Sequence, residues 1–325
     1  MPPITFPEFE DIKVSTRTFI AMTNLKINLE TLFTFLPVLP PTGKTAKNID
    51  FSELTPGDII SLQYKNKLRG EKLKPKKKKK DARWFRNSFT VEIALEDKAI
   101  NFKVYSNGVF QITGCKTDDH AESCVKHIWR LIEKSEGVYS YKRNSEALEI
   151  LFVPAMRNVD FSVGFVIDRE KFTEYINSKT PHHALLETSY GYTGVNLKMA
   201  LEKPITEMEI TKLTMAPGGE WERSETKYEE YLSHLTPSEQ NKKRNKERWI
   251  TFLVFHSGRT ILSSVTSEYS RKAYYEFVKI INESYDLIEE RLITTGNTSA
   301  KNSPDKDMFS KFIRNPQAQT PTKIL

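Results

Sequence analysis

Cysteine is scarce in this chain, and long apolar runs are missing from it. Cys115 and Cys124 are the two cysteines among 325 residues, too few for a disulfide-based secreted scaffold, so they favour a reducing compartment. No stretch approaches the roughly 18 consecutive apolar residues that a membrane-spanning helix needs. The sequence therefore predicts an intracellular protein without membrane segments.

The motifs that mark common catalytic sites are also missing. There is no GxxxxGK[ST], no GxGxxG after a strand and no GxSxG, and the Gly-Lys-Thr within 41–45 lacks the earlier glycine of a phosphate-binding loop. The adjacent His182 and His183 have no cysteine or carboxylate nearby at metal-ligand spacing. We therefore expect no enzymatic activity, no metal and no cofactor.

Positive charge is in modest excess. The chain has 49 Lys and Arg against 42 Asp and Glu, which gives a net charge of +7. A basic balance favours polyanionic partners such as nucleic acid or an anionic membrane surface, but it leaves the fold open.

Two similar segments lie 150 positions apart. "FKVYSNGVFQITG" (102–114) and "FLVFHSGRTILSS" (252–264) align without gaps, and each has an aromatic residue, Tyr105 or Phe255, just before a short polar turn. Turns ending in Asn-Gly or Ser-Gly are typical of β-hairpins. Apolar residues at helical spacing follow both segments, so each hairpin is expected to lead into a helix.

The parallel extends upstream of both hairpins. A strand is followed by a helix starting near Asn28 in the first half and near Asp168 in the second. Each half is therefore predicted to contain, in order, a strand, a helix, several antiparallel strands and a second helix. We place the repeats at 10–137 and 146–293.

Three segments fall outside this plan. The Lys-rich stretch 72–83 is expected to be a loop, and its Lys76–Lys80 run can be a solvated loop, an auxiliary phosphate contact or a nuclear-import signal. The segment 216–248 is a charged insertion with some helix. The polar segment 294–325 is expected to be a disordered tail.

The two-residue period of strands divides each hairpin into two faces. One face is apolar in both copies and is expected to form core: Phe102, Val104, Phe110 and Ile112, and Phe252, Val254, Thr260 and Leu262. The other face mixes aromatic, aliphatic, hydroxyl and basic residues. It can cover a second small core, or it can bind DNA in the minor groove, which needs apolar wedges and basic edges.

The hairpins and the helices after them resemble those of the TATA-box-binding protein family. The resemblance covers roughly residues 10–293, and the long insertions are similar to those of divergent members from large nucleocytoplasmic DNA viruses. It implies an α+β saddle: tandem pseudo-symmetric repeats forming a curved antiparallel sheet with helices on the convex face. The concave face would bind DNA.

The resemblance also assigns site residues by matching position. The wedges fall on Phe255 and Tyr105, with strand partners Tyr192 and Phe89. The central polar pair falls on Asn158 and on Thr18, where the family has asparagine. Groove-floor and phosphate-contacting positions fall on Lys103, Gln111, Thr113, Lys116, Lys198, Leu253, Arg259, Ile261 and Ser263. Lys103 and Asp160 depart from the family, which has apolar residues there.

The implied function is transcription initiation. A protein of this kind would bend A/T-rich promoter double-stranded DNA through the minor groove and recruit a transcription factor IIB-like factor and RNA polymerase machinery. It would act in the nucleus, or in the viral factory or virion of a large DNA virus. The alternative is a protein-interaction scaffold with the same fold and weak or no sequence-specific DNA binding, which Asp160, Lys103 and the missing first asparagine support.

Overall fold

The computed structural model describes residues 5–40, 54–73, 87–142, 145, 147–186, 194–216 and 218–290. Two segments discussed from the sequence, the tail 294–325 and the Lys76–Lys80 run, lie outside these ranges. The described part of the chain up to Glu290 is one structural unit.

The secondary structure combines strands with six α-helices in the described ranges. The strands are β1 Val14–Thr23, β2 Leu25–Ile27, β3 Ile59–Tyr64, β4 Lys67–Gly70, β5 Ser88–Ala94, β6 Ala99–Tyr105, β7 Val109–Cys115, β8 Tyr139–Tyr141, β9 Glu149–Ser162, β10 His183–Leu186, β11 Gly194–Ala200, β12 Glu209–Met215, β13 Trp221–Lys227, β14 Trp249–Phe255 and β15 Arg259–Ser264. The helices are α1 Leu29–Phe35, α2 Asp118–Ile132, α3 Arg169–Lys179, α4 Tyr228–Ser233, α5 Pro237–Arg244 and α6 Ser267–Ile288.

The main sheet has a mirrored strand order. The antiparallel path runs β10-β11-β14-β15-β9-β1-β7-β6-β5-β3-β4, with β9 and β1 paired at the centre. Outward from β1 come β7, β6, β5 and β3, and outward from β9 come their counterparts β15, β14, β11 and β10. The predicted α+β class with a tandem plan is confirmed, and the order supports our proposed repeats, 10–137 and 146–293.

Matching caps start the first helix of each half. The side chain of Asn28 accepts hydrogen bonds from the backbone N–H groups of Glu30 and Thr31, both at 3.2 Å. Asp168 does the same for α3, with acceptor distances of 3.2 and 3.1 Å. Such side chains satisfy amides that a helix cannot pair internally. The predicted helix starts are therefore confirmed.

Glycine closes both hairpins for a steric reason. Gly108 and Gly258 have φ of +74° and +78°, a left-handed conformation that other residues rarely adopt. A Cβ at Gly108 would lie 2.1 Å from the carbonyl oxygen of Leu25, and one at Gly258 would lie 2.2 Å from that of Phe165. Each hairpin tip thus lies tightly against the segment that leaves the central strand of its own repeat.

The predicted core faces of the hairpins are buried. Each of the eight residues predicted for this face is at most 2% exposed: Phe102, Val104, Phe110, Ile112, Phe252, Val254, Thr260 and Leu262. In the first half they pack with α1 and α2, and in the second with α3 and α6. The ring of Phe252 stacks on Phe277 of α6 at 4.4 Å between centroids. One side of the sheet is therefore covered by these helices.

The charged insertion contains more secondary structure than the sequence predicts. Helices were predicted within 216–248 and are present, but β13 was not predicted, and it forms a hairpin with β12, which lies before the insertion. β12 pairs in turn with the first residues of β9. Tyr228, Tyr231 and Leu232 of α4 form a small core with Met22 of β1 and Leu151 of β9.

Candidate nucleic-acid interface

The side of the sheet opposite α1, α2, α3 and α6 is called the open face here. The backbone pairing of the strands shows which residues lie on this face, because directly paired residues of antiparallel strands point to the same side of the sheet. Leu253 pairs with Ile261, and Lys103 pairs with Gln111, all outside the two helix-covered cores. The predicted site residues on this face are Thr18, Lys103, Tyr105, Gln111, Thr113, Asn158, Lys198, Leu253, Phe255, Arg259, Ile261 and Ser263.

Thr18 and Asn158 are equivalent positions at the centre of the open face. Thr18 of β1 pairs with Thr113 of β7, and Asn158 of β9 pairs with Ser263 of β15. The Oδ1 atom of Asn158 is buried and has no hydrogen-bond partner among the described residues. A buried unpaired carbonyl is costly, by about 1–3 kcal/mol. A ligand or water that donates to it would recover that cost.

The two aromatic residues before the hairpin turns are also equivalent. Tyr105 pairs with Ser88 and Phe255 with Gly194, each at the first residue of the neighbouring strand. The hydroxyl of Tyr105 donates to Oε1 of Gln111 at 3.0 Å, and burial raises the pKa of Tyr105. A neutral phenol with a partner on the same face can lie against an apolar surface.

The position predicted for the wedge partner in the first repeat was wrong. Phe89 pairs with Val104, is 1% exposed and lies in the core beneath the helices. Its counterpart in the second repeat is Val195, which is equally buried. The residue equivalent to Tyr192 would be three positions before Phe89. That position and Tyr192 itself lie outside the described residues.

Basic residues lie toward both ends of the open face. Lys103 is on β6, Lys198 on β11, and Arg259 begins β15. Lys116 is exposed in the turn between β7 and α2, where its backbone N–H donates to Nδ1 of His120 at 3.3 Å. Cations distributed in this way can contact phosphates on both sides of a bound duplex.

Asp160 places a carboxylate near the centre of the same face. It pairs with Ile261 and accepts a 3.3 Å hydrogen bond from the hydroxyl of Ser15. Burial raises the pKa of Asp160, an effect that Ser15 and the charge of Arg259 partly oppose. The carboxylate is therefore easier to protonate than an exposed aspartate. It is unfavourable for a polyanion while it remains charged.

The insertion covers one corner of the open face. Ile20 and Met22 follow Thr18 at alternate positions of β1, and Val109 pairs with Met22. All three contact the small core built around α4. Lys212 of β12 also reaches across to Glu230 of α4 at 3.0 Å. The open face is therefore narrower in the first repeat than in the second.

Sequence reasoning missed Asn196 on this face. It pairs with Leu253 and lies two residues before Lys198 on β11. Like Asn158, it has a buried Oδ1 without a partner in the described part of the chain. The two-residue period from Lys198 would have found it.

Other kinds of site find no support in the described ranges. No group of three or more His, Cys, Asp or Glu side chains there is arranged to hold a metal ion. None of the helices in those ranges combines the length and apolarity required to cross a bilayer. Both cysteines are buried and free, and burial raises the pKa of Cys115 to about 12.

The sequence and the fold were compared with those of known proteins. No family model matches the sequence. A protein of Acanthamoeba polyphaga mimivirus described as "TATA-box-binding protein-like" is 26% identical over 223 residues, 59% of this chain and 59% of that protein. The chain is similar to a viral TATA-box-binding-protein-like protein. This relative confirms the resemblance predicted from the hairpins. The alignment covers about three fifths of the relative's own length.

Two further similarities were found. The uncharacterized protein 335L of Invertebrate iridescent virus 6 is 25% identical over 234 residues, 70% of this chain and 68% of that protein. Among solved structures, the Methanococcus jannaschii TATA-box-binding protein aligns with 85% of this chain and 99% of its own, at 11% identity and a TM-score of 0.43. Both sequence relatives come from large DNA viruses.

Proposed function

We propose that this chain is a TATA-box-binding-protein-like transcription initiation factor that binds and bends double-stranded promoter DNA. The open face would lie in an opened minor groove of A/T-rich DNA, with Phe255 and Tyr105 inserted at base steps. The observation that carries the proposal is their equivalent placement before the two hairpin turns, on one face and on either side of the Thr18–Asn158 centre. Minor-groove binders bend DNA by inserting apolar wedges at such separated points.

The other residues of the open face also support binding in the minor groove. Leu253, Ile261, Thr113 and Ser263 supply the apolar and small hydroxyl groups that fit a groove floor. The lysines and arginine nearby supply phosphate contacts. No chemical step is required. Recruitment of a transcription factor IIB-like factor and an RNA polymerase would use surfaces away from the DNA, in the nucleus, viral factory or virion of an infected cell.

The alternative is a protein-interaction scaffold built on the same fold. It is favoured by the Asp160 carboxylate on the open face and by the insertion that packs over Ile20 and Val109. Both features reduce the area and the positive potential offered to a duplex. In this alternative the open face binds a protein segment.

A binding titration separates the two functions. The purified protein is titrated at low salt onto labelled A/T-rich and G/C-rich duplexes of equal length. The proposal predicts tighter binding to the A/T-rich duplex and an affinity that falls steeply as salt increases, because contacted phosphates release counterions. Absence of binding to either duplex at low salt would support the scaffold.

A further inference from the structure

A cavity of about 200 Å³ lies on the helix side of the sheet, where the two halves of the protein meet. Its walls come from β1, the middle of β9, the start of β12 and the first residues of α2 and α6. Much of the lining is apolar, including Phe19, Phe152, Pro154 and Val265. Arg17, Phe19 and Arg157 alternate along their strands with the open-face residues Thr18 and Asn158, so these side chains point away from the surface proposed to bind DNA.

Arg157 lines this cavity and is nearly buried. Only 8% of the residue is exposed, and its Nε and Nη1 atoms have no hydrogen-bond partner among the described residues. Its guanidinium lies 5.4 Å from the ring centre of Phe9. Burial, together with the nearby charge of Arg17, lowers the pKa of Arg157. A buried cation is expensive unless a counter-charge compensates it.

The carboxylates in the lining have cationic partners of their own. Asp118 pairs with Arg17 at 2.7 Å, and Glu122 pairs with Arg223 at 2.6 Å. Glu209 pairs with a lysine of β13 at 2.8 Å. Arg157 is thus left with a like charge beside it and no ion pair in the described part of the chain.

The first turn of α6 adds a second attraction for a negative group. Thr266 caps this 22-residue helix, but its side chain makes no capping hydrogen bond, and its Oγ1 is buried without a partner in the described ranges. Thr266 and Ser267 both line the cavity with Arg157. The amides at the start of a helix favour an anion.

We propose that this cavity binds the carboxylate of an acidic side chain presented by a partner protein, next to an apolar residue of that partner. Arg157 would donate to the carboxylate from its planar fork. The apolar side chains of the lining would contact the partner's apolar residue next to that carboxylate. A monoanion is favoured over a phosphate dianion because three carboxylates share the lining.

The test uses short peptides and the whole chain. Three compounds are titrated into the protein at equal ionic strength: N-acetyl-Leu-Glu-Leu-amide, the same peptide with Gln in place of Glu, and inorganic phosphate. The Arg157 Nε–H resonance is followed by NMR during each titration. Isothermal titration measures the same binding in the Arg157→Met variant. Arg271→Met is the matched control, since Arg271 is an exposed α6 arginine paired with Glu10.

The proposal predicts saturable millimolar binding of the Glu peptide that shifts the Arg157 resonance, and weaker binding of the Gln twin. Arg157→Met should weaken binding roughly tenfold or more, as expected when a donor to a charged group is lost, and Arg271→Met should leave it unchanged. Equal binding of the two peptides, or unaltered affinity in Arg157→Met, would overturn the proposal. Tighter binding of phosphate than of the Glu peptide would overturn the choice of a carboxylate.

Discussion

Asp160→Asn removes a negative charge from the centre of the open face while keeping the size of the side chain. The asparagine oxygen can still accept the hydrogen bond that Ser15 donates at 3.3 Å. The backbone pairing of Asp160 with Ile261 is also unaffected. The substitution therefore isolates the effect of the charge on whatever binds this face.

The expected gain in DNA affinity follows from simple electrostatics. A carboxylate about 7 Å from one phosphate costs about 2 kcal/mol at an effective dielectric constant of 20. Arg259, which lies close enough to lower the pKa of Asp160, offsets part of this cost. We expect a net gain of about 1 kcal/mol, or about fivefold in affinity at low salt.

The pH dependence has a definite sign. Burial raises the pKa of Asp160 in the folded protein, so the native state binds this proton more tightly than the unfolded state does. The resulting penalty is absent below the ordinary pKa of about 3.8 and grows as pH rises through the raised value. Asp160→Asn should therefore stabilise the protein at neutral pH. A bound duplex raises the pKa further, so affinity for DNA should increase as pH falls.

Fluorescence anisotropy with an A/T-rich duplex measures both effects at constant ionic strength. The unaltered protein should bind more tightly in mildly acidic than in neutral buffer, and Asp160→Asn should lose the part of that dependence that comes from this carboxylate. The contributions of all other groups are the same in both proteins, so the difference between the two pH profiles reports Asp160 alone. An Asp160→Asn variant with unaltered affinity and an unaltered pH profile would refute a DNA-facing position for Asp160.

Three further substitutions test individual features. Gly258→Ala should lower the free energy of unfolding by about 1–3 kcal/mol in urea titrations. The loss should exceed that of Gly219→Ala, where φ is also positive but no atom of the described residues lies within 4 Å of the added Cβ. Tyr105→Phe should raise DNA affinity about threefold, because the hydroxyl no longer gives up its bond to Gln111 on entering a base stack; weaker binding would contradict this. Lys198→Ala should make the slope of log affinity against log salt shallower by about one, and an unchanged slope would remove Lys198 from the phosphate contacts.

The sequence was informative wherever local chemistry decides the structure. The hairpin turns need glycine at positive φ, and the helix starts need a capping side chain, so Gly108, Gly258, Asn28 and Asp168 could be recognised directly. The faces of β6, β7, β14 and β15 followed from strand periodicity. These elements repeat, and each copy supported the interpretation of the other.

The sequence did not predict features of the structure that depend on strand register or on contacts between distant residues. Phe89 and Ser88 are neighbours, and a shift of one residue moves a strand side chain to the other face. Tyr105 pairs with Ser88, so Phe89 lies on the opposite, buried side of β5. The packing of α4 on Met22 joins residues about two hundred positions apart. No local pattern in the sequence indicates such a contact.

DNA bending by the unaltered protein and by Phe255→Ala tests the central claim most directly. Fluorescence transfer between dyes at the two ends of an A/T-rich duplex reports the bend, and Phe35→Ala, which removes an exposed phenylalanine from α1, is the matched control. We predict a bend within the range of about 20–90° seen for wedge-inserting proteins, clearly reduced by Phe255→Ala and retained by Phe35→Ala. A duplex that binds without bending, or that is bent equally by the unaltered protein and by Phe255→Ala, would contradict the account.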